Sequence, residues 1–272
     1  MKLKKVTLLG CGSSMGVPVI GCSCHVCQSS HPRNRRMRSS LLLEDDFGAW
    51  LVDVGPDFRE QALRKKIVSS GKGSLHGVII THAHSDHVSG LDDLRIFNFA
   101  QERSLPIILS ESCYRDLAHR FYYMFEPKSS HQSSSQNLHQ NSSASLRPYI
   151  LPNAHGRMHL DGLEFTYSTH YQGGMPILGL RFGDFGYFTD IKDYGPELVA
   201  HAKGIRTLVI SGGGMRSVRM HMNFLESIEL AKEIGAQRTI FTHMDHDIDY
   251  SHWENRLPHG MTLGYDGMEI DL

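Results

Sequence analysis

The sequence predicts an α/β fold in which layered sheets carry helices on their outer sides. Two observations predict it: short apolar runs rich in β-branched residues recur along the chain, and helical patterns lie between several of them. Strands followed by helices pack as layers because each element has an apolar face to bury. The predicted strands span residues 6–9, 40–43, 50–54, 78–81, 107–109, 165–169, 178–182, 187–189, 207–210 and 239–242.

The clearest predicted helix follows Asn223. Asn223 as N-cap, with Glu226 three residues later, is typical of a capping box, and Gly235 ends the pattern. Phe224 and Ile228 share the apolar face of this helix. Two further helices are predicted at residues 56–65 and 111–123.

Length and charge bound the class of protein. With 272 residues, of which 40% are hydrophobic, the chain can bury one large core, and we expect a single domain over residues 1–272. The formal net charge of −1 gives no positive field, so nucleic-acid binding driven by bulk charge is not expected. A small-molecule substrate fits better.

The opening "MKLKKVTLLGC" is similar to a lipoprotein signal, with basic residues, an apolar run and Cys11. Its apolar run, residues 6–9, is shorter than the about 7–15 residues of a signal's apolar region, so we predict a strand. No stretch approaches the ~20 apolar residues that span a bilayer. We therefore expect a cytoplasmic protein with no membrane partner.

One segment, at about residues 128–146, contains almost nothing apolar and is rich in serine. Such a composition cannot bury enough apolar surface to fold by itself. We predict a mobile surface insertion there.

The segment "THAHSDH", residues 81–87, carries four potential metal ligands where a predicted strand ends. Alternate residues of an extended chain share a face, so His82 and His84 point the same way. Asp86 and His87 follow once the chain has turned toward a helix. Neutral imidazole and carboxylate are ligands that Zn²⁺, Mn²⁺ and Fe²⁺ prefer. The spacing predicts two adjacent metal positions, the alternative being a solvated loop or a single structural ion.

This segment resembles the H-x-H-x-D-H motif of the metallo-β-lactamase superfamily, and the resemblance extends over nearly the whole chain. It implies a four-layer αββα sandwich with one or two metal ions, Mn²⁺ or Zn²⁺, at the edge of the sheets. Members usually add a histidine, an aspartate and a last histidine after later strands, which we assign to His170, Asp190 and His243. By family analogy, one ion is held by His82, His84 and His170, the other by Asp86, His87 and His243, and Asp190 bridges them.

Two of these assignments have competitors. His155 and His159 are alternatives to His170, but they lie in a Gly-flanked turn rather than directly after a convincing strand. Asp184 is an alternative to Asp190, yet "FGDFG" is typical of a hairpin turn whose second strand delivers Asp190.

A second metal site is predicted in "GCSCHVC", where Cys22, Cys24 and Cys27 offer three thiolates for a tetrahedral structural zinc. His25 is a near candidate for the fourth ligand, but its neighbour Cys24 already points at the ion. His246, in "THMDH", is preferred because it could face away from the other site. The alternative is three reduced cysteines with no metal.

Further runs resemble the branch that contains phosphoribosyl 1,2-cyclic phosphate phosphodiesterases and PqqB-like proteins: "GCGSSMGVPVIGCSCHVCQSSHPRNRRMRSS", "VDVGPDFREQAL", "GLDDLR", "GLRFGDFGYFTD" and "THMDHD". The predicted catalytic residues are Asp86 and His221, which aligns with a histidine beside the substrate of related phosphodiesterases and serves as general acid or phosphate binder. Its alternative is a residue at the start of the Asn223 helix.

Other charged residues receive supporting predictions. An arginine run near the cysteines most often forms a solvated face, although forked donors suit phosphate: Arg33, Arg35, Arg36 and Arg38. A second set is predicted to pair and to orient histidine ligands: Asp57, Arg59, Asp92, Asp93 and Arg95.

The sequence thus favours a dinuclear metal-dependent phosphodiesterase for a small cyclic or nucleotide-like phosphodiester. Two adjacent cations lower the pKa of a shared water and clamp the attacking and leaving oxygens. The alternatives are a thioester or lactone hydrolase and a non-catalytic PqqB-like binding protein. A flavo-diiron oxidoreductase is disfavoured because His84 stands where that pattern has glutamate. Related proteins are often dimers, which leaves a homodimer open.

Overall fold

The computed structural model describes residues 3–125 and 144–272, and it arranges them as two seven-stranded sheets packed face to face with helices outside. The αββα prediction is confirmed. In sheet order, the first sheet contains β14 (Met268–Asp271), β1 (Lys5–Gly10), β2 (Ser40–Glu44), β3 (Ala49–Val52), β4 (Leu75–Ile79), β5 (Leu105–Ser110) and β6 (Leu146–Leu151). The second contains β13 (Met261–Leu263), β12 (Arg238–Met244), β11 (Thr207–Gly213), β10 (Phe185–Phe188), β9 (Met175–Phe182), β8 (Leu163–Gln172) and β7 (His155–Leu160).

Each sheet joins an antiparallel part to a parallel part. In the first sheet, β14, β1, β2 and β3 are antiparallel, and β3 to β6 are parallel. In the second sheet, β7 to β10 are antiparallel, and β10 to β13 are parallel. Parallel strands all end at one edge of their sheet, so the chain leaves several strands at the same place.

The core fills the space between the sheets, and alternate residues of the first sheet point into it. Trp50 and Val52 of β3 belong to the inter-sheet cluster, whereas Leu51 belongs to the cluster under the outer helices. In β4, Ile79 likewise belongs to the inter-sheet cluster and Val78 to the cluster under the outer helices. Strands buried on both faces explain the continuous apolar runs in the sequence.

The helices cover the outer faces of the sheets. The helices in chain order are α1 (His25–Gln28), α2 (Phe58–Lys65), α3 (Ser85–Val88), α4 (Arg95–Gln101), α5 (Glu111–Arg120), α6 (Tyr122–Phe125), α7 (Pro196–Ala202), α8 (Phe224–Ile234) and α9 (Tyr250–Trp253). Short 3₁₀ turns lie at Pro32–Asn34 and Leu91–Leu94. Within residues 3–125 and 144–272, no helix has the length and apolar character that crossing a membrane requires.

Helix α8 forms as predicted. The Asn223 side chain accepts from the backbone N–H of Glu226, whose own side chain accepts from the backbone N–H of Asn223, and Gly235 ends the helix with φ 71°. All ten predicted strands are present, and the apolar run of the signal-like opening forms part of β1.

Three details of the prediction are wrong or lie outside the structure. Residues 155–159 belong to β7 rather than to a turn; this edge strand lacks β-branched residues and alternates between exposed and half-buried positions. The helix predicted at 111–123 is divided at Phe121 into α5 and α6. Of the predicted insertion at 128–146, residues 128–143 lie outside the described residues, and Leu146 begins β6.

Replacing Asn223 by alanine removes the side-chain acceptor at the start of α8, and we expect the free energy of unfolding to fall by about 1 kcal/mol. Urea denaturation measures this change. Glu229→Ala is the matched control, because Glu229 on the same helix pairs with Lys232 across an exposed salt bridge and contributes little. Equal effects of the two substitutions would contradict the role of the cap.

Candidate metal centre

The candidate site lies where four strands of the two sheets end. Strand β3 is followed by Asp53, β4 by the 81–87 segment and β10 by Asp190, while His243 is the penultimate residue of β12. The backbone N–H of Leu178 in β9 donates to the carbonyl of Thr81 at 3.1 Å, which links the second sheet to the histidine segment. Side chains from both sheets therefore converge at one edge of the sandwich.

Three residues of this edge have strained backbones. Asp53, Asp190 and His243 have φ of 63°, 56° and 50°, in the left-handed region that favours glycine. Such conformations cost of order 1–3 kcal/mol each and cluster at functional sites. Among the described residues, the other non-glycine residues with positive φ lie at ordinary helix ends or in the turn between β7 and β8.

His87 lies at the centre of the site, fully buried. Its Nε2 is 3.3 Å from Oδ2 of Asp86 and 3.2 Å from Oδ2 of Asp190. His243 approaches the same two carboxylates: its Nε2 is 3.4 Å from Oδ2 of Asp86 and 3.2 Å from Oδ1 of Asp190. The two oxygens of Asp190 thus face different histidines, as a bridging carboxylate requires.

The first two histidines of the segment are also close together. His82 Nε2 is 3.0 Å from His84 Nδ1, and the His82 ring lies 4.2 Å from the ring of His87. Three overlapping groups place their ligand atoms within 4.8 Å of one another: His82, His87 and Asp190; Asp86, His87 and His243; Asp190, His221 and His243.

The donor set fits bound divalent ions. His87 Nδ1 is 2.7 Å from Oδ2 of Asp53, a carboxylate that can only accept, so Nδ1 carries a proton and Nε2 is the nitrogen that is available to a metal ion. That buried Nε2 has no hydrogen-bond partner among the described residues although two carboxylates face it. A metal ion between these atoms would satisfy all of them.

Electrostatics keep the carboxylates ionised. Burial opposes charge on Asp190, but His243 and His87 outweigh it and hold the pKa of its carboxyl well below the usual value. Burial likewise opposes charge on Asp86, and His87 and His243 again lower the pKa. Burial lowers the pKa of His82, which favours the neutral imidazole that binds metals.

Asp53, which sequence reasoning missed, orients the histidine segment. Its carboxylate is buried and accepts from the backbone N–H of Thr81 at 2.8 Å and from the Thr81 hydroxyl at 2.8 Å, besides meeting His87. The signal was a carboxylate at the end of a buried strand, "LVDVG".

The residues predicted for this orienting role do other work. Asp57 binds the Arg38 side chain at 3.0 Å and its backbone N–H at 2.8 Å, and Asp92 pairs with Arg95 at 3.2 Å. Both carboxylates are partly exposed, so they pair with arginines at the surface rather than with buried imidazoles. The predicted pairing of Asp92 with Arg95 is present, but the prediction that Asp57 and Asp92 orient histidine ligands is wrong.

His170 is not brought into any of the three ligand groups. Its Nε2 donates to the carbonyl of Thr189 at 2.7 Å, and its Nδ1 faces Gly179 of the neighbouring strand, with no hydrogen-bond partner within residues 3–125 and 144–272. Strand β8 continues beyond the predicted end at residue 169, so His170 lies inside it and Gln172 reaches the site instead. Its role as a metal ligand stays a prediction.

The competitors weighed for these positions lie elsewhere. His155 and His159 are exposed on the edge strand β7. Asp184 is exposed in the turn of the β9–β10 hairpin, where its backbone carbonyl accepts from the N–H of Thr207 at 3.0 Å. The hairpin predicted from "FGDFG" is present, and Asp190 follows its second strand.

His221 lies beside the site on the segment before α8. Its ring stacks on His243 with centroids 5.2 Å apart, and its Nδ1 is 3.7 Å from Oδ1 of Asp190. Burial and the neighbouring His243 lower the pKa of His221 to about 4. This lowered pKa favours the neutral ring.

The cysteine site has the geometry of a zinc centre. His246 Nδ1 lies 3.4 Å from Sγ of Cys22, 3.4 Å from Sγ of Cys24 and 3.7 Å from Sγ of Cys27. In a tetrahedral zinc site, bonds of about 2.3 Å to sulfur and about 2.0–2.1 Å to nitrogen place the sulfur and nitrogen ligand atoms about 3.6 Å apart. The alternative ligand, His25, is 85% exposed and binds Asp249 at 2.9 Å instead.

The surroundings shift the pKa values of two of the thiols in opposite directions. A hydrogen bond from the backbone N–H of Cys27 lowers the pKa of Cys24 to about 6, whereas burial raises the pKa of Cys27 to about 11. Four protein ligands leave no open position, so this site suits a structural ion that ties residues 22–27 to the end of β12.

The arginines near the cysteines do not form one solvated face. Arg36 is 2% exposed and donates to the carbonyls of Asp245 and Ile248 at 3.1 and 2.6 Å. Arg33 lies 4.9 Å over the ring of Tyr250. Of the four, Arg35 alone is exposed, so the expectation holds only for that residue.

A cavity of about 890 Å³ connects the two metal sites. Its lining includes His221 and His243 of the first site, Cys24 and His246 of the second, and also Arg216 and Trp253. Its volume is within the range of small-molecule sites.

A family model described as a beta-lactamase superfamily domain matches residues 50–244. The chain belongs to the beta-lactamase superfamily. Within that superfamily, a crystal structure described as a new diphosphatase from the PhnP family is similar, with a TM-score of 0.87 and 31% identity, covering 99% of this chain and 97% of that one. The predicted family and branch are confirmed.

Two further superfamily comparisons bear on the chain. Zinc-bound PqqB from Methylobacterium extorquens has a TM-score of 0.71 at 18% identity over 98% of this chain and 100% of that chain, a likeness of fold. Coenzyme PQQ synthesis protein B from Methylorubrum extorquens (strain PA1) is 31% identical over 99 residues, 33% of this chain and 33% of that protein.

A curated relative from Porphyromonas gingivalis, named octanoyltransferase, is 33% identical over 266 residues, 96% of this chain and 50% of that protein. The chain thus spans about half of this relative and a third of the PQQ synthesis protein. Because the match covers only half of the Porphyromonas gingivalis protein, the name octanoyltransferase does not assign octanoyl transfer to the matched half.

Asp53→Asn tests the orientation of the metal ligands. An amide cannot accept from Thr81 and His87 with both of its atoms, so we expect metal affinity to fall about 10- to 100-fold. Titration calorimetry with Zn²⁺ or Mn²⁺ measures this change. Asp57→Asn, four residues away and paired with Arg38, is the control, and equal losses in both variants would contradict the assignment.

Cys24→Ser tests the structural site. We expect one metal ion fewer per chain and a lower melting temperature, because a neutral hydroxyl replaces a thiolate ligand. Elemental analysis and calorimetry provide the readouts. His25→Ala is the control, since His25 points to Asp249; loss of an ion from that variant would make His25 the ligand.

Proposed function

We propose that the chain is a metal-dependent phosphodiesterase that hydrolyses a small cyclic or nucleotide-like phosphodiester. The observation that carries the proposal is the placement of Asp190 between His87 and His243, with His221 beside them; His221 and His243 also line the 890 Å³ cavity. The likeness to a PhnP-family diphosphatase over nearly the full length of both chains supports phosphorus chemistry.

The protein residues supply orientation, charge and a protected site. Two divalent ions, when bound, would supply an activated water and neutralise charge on the phosphoryl group. Asp86 and Asp190 provide the negative charge that holds such ions, and the imidazoles of His82, His87 and His243 would provide nitrogen ligands once the ions displace any second ring proton. Asp53 keeps Nε2 of His87 turned toward the carboxylates.

His221 is the residue of this site that we place against substrate. General-acid catalysis needs an imidazolium, which burial and His243 disfavour. A neutral ring still donates one N–H hydrogen bond, and a donor aimed at a phosphoryl oxygen stabilises charge that develops during the reaction. Of the two roles predicted from the sequence, phosphate binding is therefore favoured. A third possible role of His221 is that of a metal ligand, because its ligand atom lies within 4.8 Å of those of Asp190 and His243.

Hydrolysis of a thioester is the second candidate, because the relative named octanoyltransferase covers 96% of this chain. The same metal centre would serve an acyl substrate, but a charged phosphoryl group makes better use of the His221 donor. Arg216 in the cavity wall also suits an anionic substrate better than a neutral acyl group.

Turnover of bis(p-nitrophenyl) phosphate with Mn²⁺ or Zn²⁺, compared with turnover of an acyl thioester, tests the proposal. We expect phosphodiester turnover that Asp190→Ala lowers by more than about 100-fold, since this carboxylate faces both histidines. Asp184→Ala, in the exposed turn of the same hairpin, is the matched control. Thioester turnover alone would favour the second candidate, and no turnover of either would favour a binding protein.

A further inference from the structure

The carboxylate of Asp190 meets two neutral donors besides the two imidazoles that face it. Thr189 Oγ1 lies 2.7 Å from Oδ2, and Gln172 Nε2 lies 3.2 Å from Oδ1. Nε2 of His87 faces Oδ2 and Nε2 of His243 faces Oδ1, each at 3.2 Å. Each carboxylate oxygen therefore has one imidazole and one neutral donor beside it.

Hydrogen-bond chemistry fixes the direction of both neutral contacts. A carboxylate oxygen can only accept, whereas a hydroxyl has one hydrogen to donate and an amide nitrogen has two. The hydrogen of the Thr189 hydroxyl therefore points at Oδ2. Exchange of the amide atoms of Gln172 would bring two acceptors together at Oδ1, so Nε2 is the atom in contact. Neither donor titrates near neutral pH, so neither contact depends on the protonation of a histidine.

Both donors are buried as well as uncharged. Thr189 is 0% exposed, and Gln172 and Asp190 are each 1% exposed. In such surroundings a hydrogen bond to a charged acceptor is strong. A lysine or arginine at either position would also orient the carboxylate, but its positive charge would repel bound cations. Neutral donors orient the carboxylate without that repulsion.

The other carboxylate of the centre, Asp86, has no such pair of donors. Its Oδ2 faces Nε2 of His87 at 3.3 Å and Nε2 of His243 at 3.4 Å. Within residues 3–125 and 144–272, no hydroxyl or amide donates to this side chain. The neutral donors are thus found at Asp190, the carboxylate that the family analogy predicts to bridge two ions.

A bridging ligand needs a defined carboxylate plane. The last torsion of an aspartate side chain is broad, so a hydrogen bond at each oxygen is needed to restrict it. The backbone beside Asp190 is held separately. The N–H of Ile191 donates to Oγ of Ser211 at 3.3 Å, and its carbonyl accepts from the N–H of Met222 at 3.0 Å. Loss of a donor would therefore free the carboxylate without displacing the chain.

We propose that Thr189 and Gln172 are positioning residues that hold the Asp190 carboxylate in its bridging orientation before metal ions bind. The ions then meet a ligand that is already oriented, so less ordering accompanies binding and the affinity is higher. This inference rests on the two-ion centre of the proposed function, but it does not depend on which ester is cleaved.

Thr189→Val tests the proposal, because valine keeps the shape of the side chain and removes the donor. We expect the affinity for Mn²⁺ or Zn²⁺, measured by titration calorimetry, to fall about 10- to 100-fold. Thr189→Ser keeps the hydroxyl and should restore most of that affinity. Thr239→Val is the matched control, since Thr239 is a buried threonine near the start of β12, whose other end carries His243.

Gln172→Met removes the second donor with a side chain of similar length, and it should lower the metal affinity in the same direction. Because Gln172 also contacts the ring of His221, this variant supplements Thr189→Val and does not replace it. In the double variant, the second substitution should add less than it does alone, because both donors restrict one torsion of one carboxylate.

The dependence of turnover on metal separates ligand orientation from an effect on the reaction itself. We expect Thr189→Val to cleave bis(p-nitrophenyl) phosphate slowly at limiting Mn²⁺. Its rate should recover toward that of the wild-type protein as Mn²⁺ increases, because mass action fills a weakened site. Thr239→Val should follow the wild-type dependence throughout.

The opposite results would overturn the proposal. Unchanged metal affinity in Thr189→Val or in Gln172→Met would remove that residue from the role, and fully multiplicative losses in the double variant would mean that the two do not act through one carboxylate. An equal loss in Thr239→Val, or no recovery in Thr189→Ser, would assign the loss to a disturbed core.

The turnover experiment has two further outcomes. A defect in Thr189→Val that excess Mn²⁺ does not restore would place Thr189 in the chemical step and contradict the positioning role. If the metal affinities change as expected but the wild-type protein cleaves no phosphodiester, the positioning role stands and the proposed function fails.

Discussion

Two carboxylates, the buried Asp190 and the partly buried Asp86, meet two buried imidazoles, His87 and His243, at the edge of the sandwich, and the rest of the site depends on this contact. Burying charge is costly unless it is paired. Here both sheets contribute to the pairing, because Asp86 follows a strand of the first sheet and Asp190 a strand of the second. The fold and the chemistry are therefore joined at one point.

Around this contact, the neighbouring residues are chosen by what they can donate or accept. Asp53 accepts from Nδ1 of His87 and so turns its Nε2 inward, while Gln172 donates to Asp190 and contacts the His221 ring. Asp53 thereby orients a candidate metal ligand, and Gln172 links two residues of the same site. The cysteine centre adds a separate constraint by fixing the wall of the cavity in which the substrate would lie.

Local patterns in the sequence were enough for the architecture and for most of the site. The strands that end at residues 79, 188 and 244 could be recognised because buried parallel strands are continuous apolar runs, and the ligands stand at or next to those ends. His246 could be preferred over His25 from spacing alone. In contrast, Asp53 follows β3 and Gln172 ends β8, and the residues beside them are decided by the tertiary fold. The extent of β8, which determines whether His170 or Gln172 reaches the edge, was not encoded in its apolar pattern.

The left-handed backbones of Asp53, Asp190 and His243 determine which substitution would relieve strain at these positions. Glycine would occupy each of these positions without steric cost. Selection for greater stability would therefore favour glycine at these three positions, whereas selection for a working centre would keep the present side chains. A relative that has lost its chemistry could be recognised by glycine there, on an otherwise well-kept sandwich.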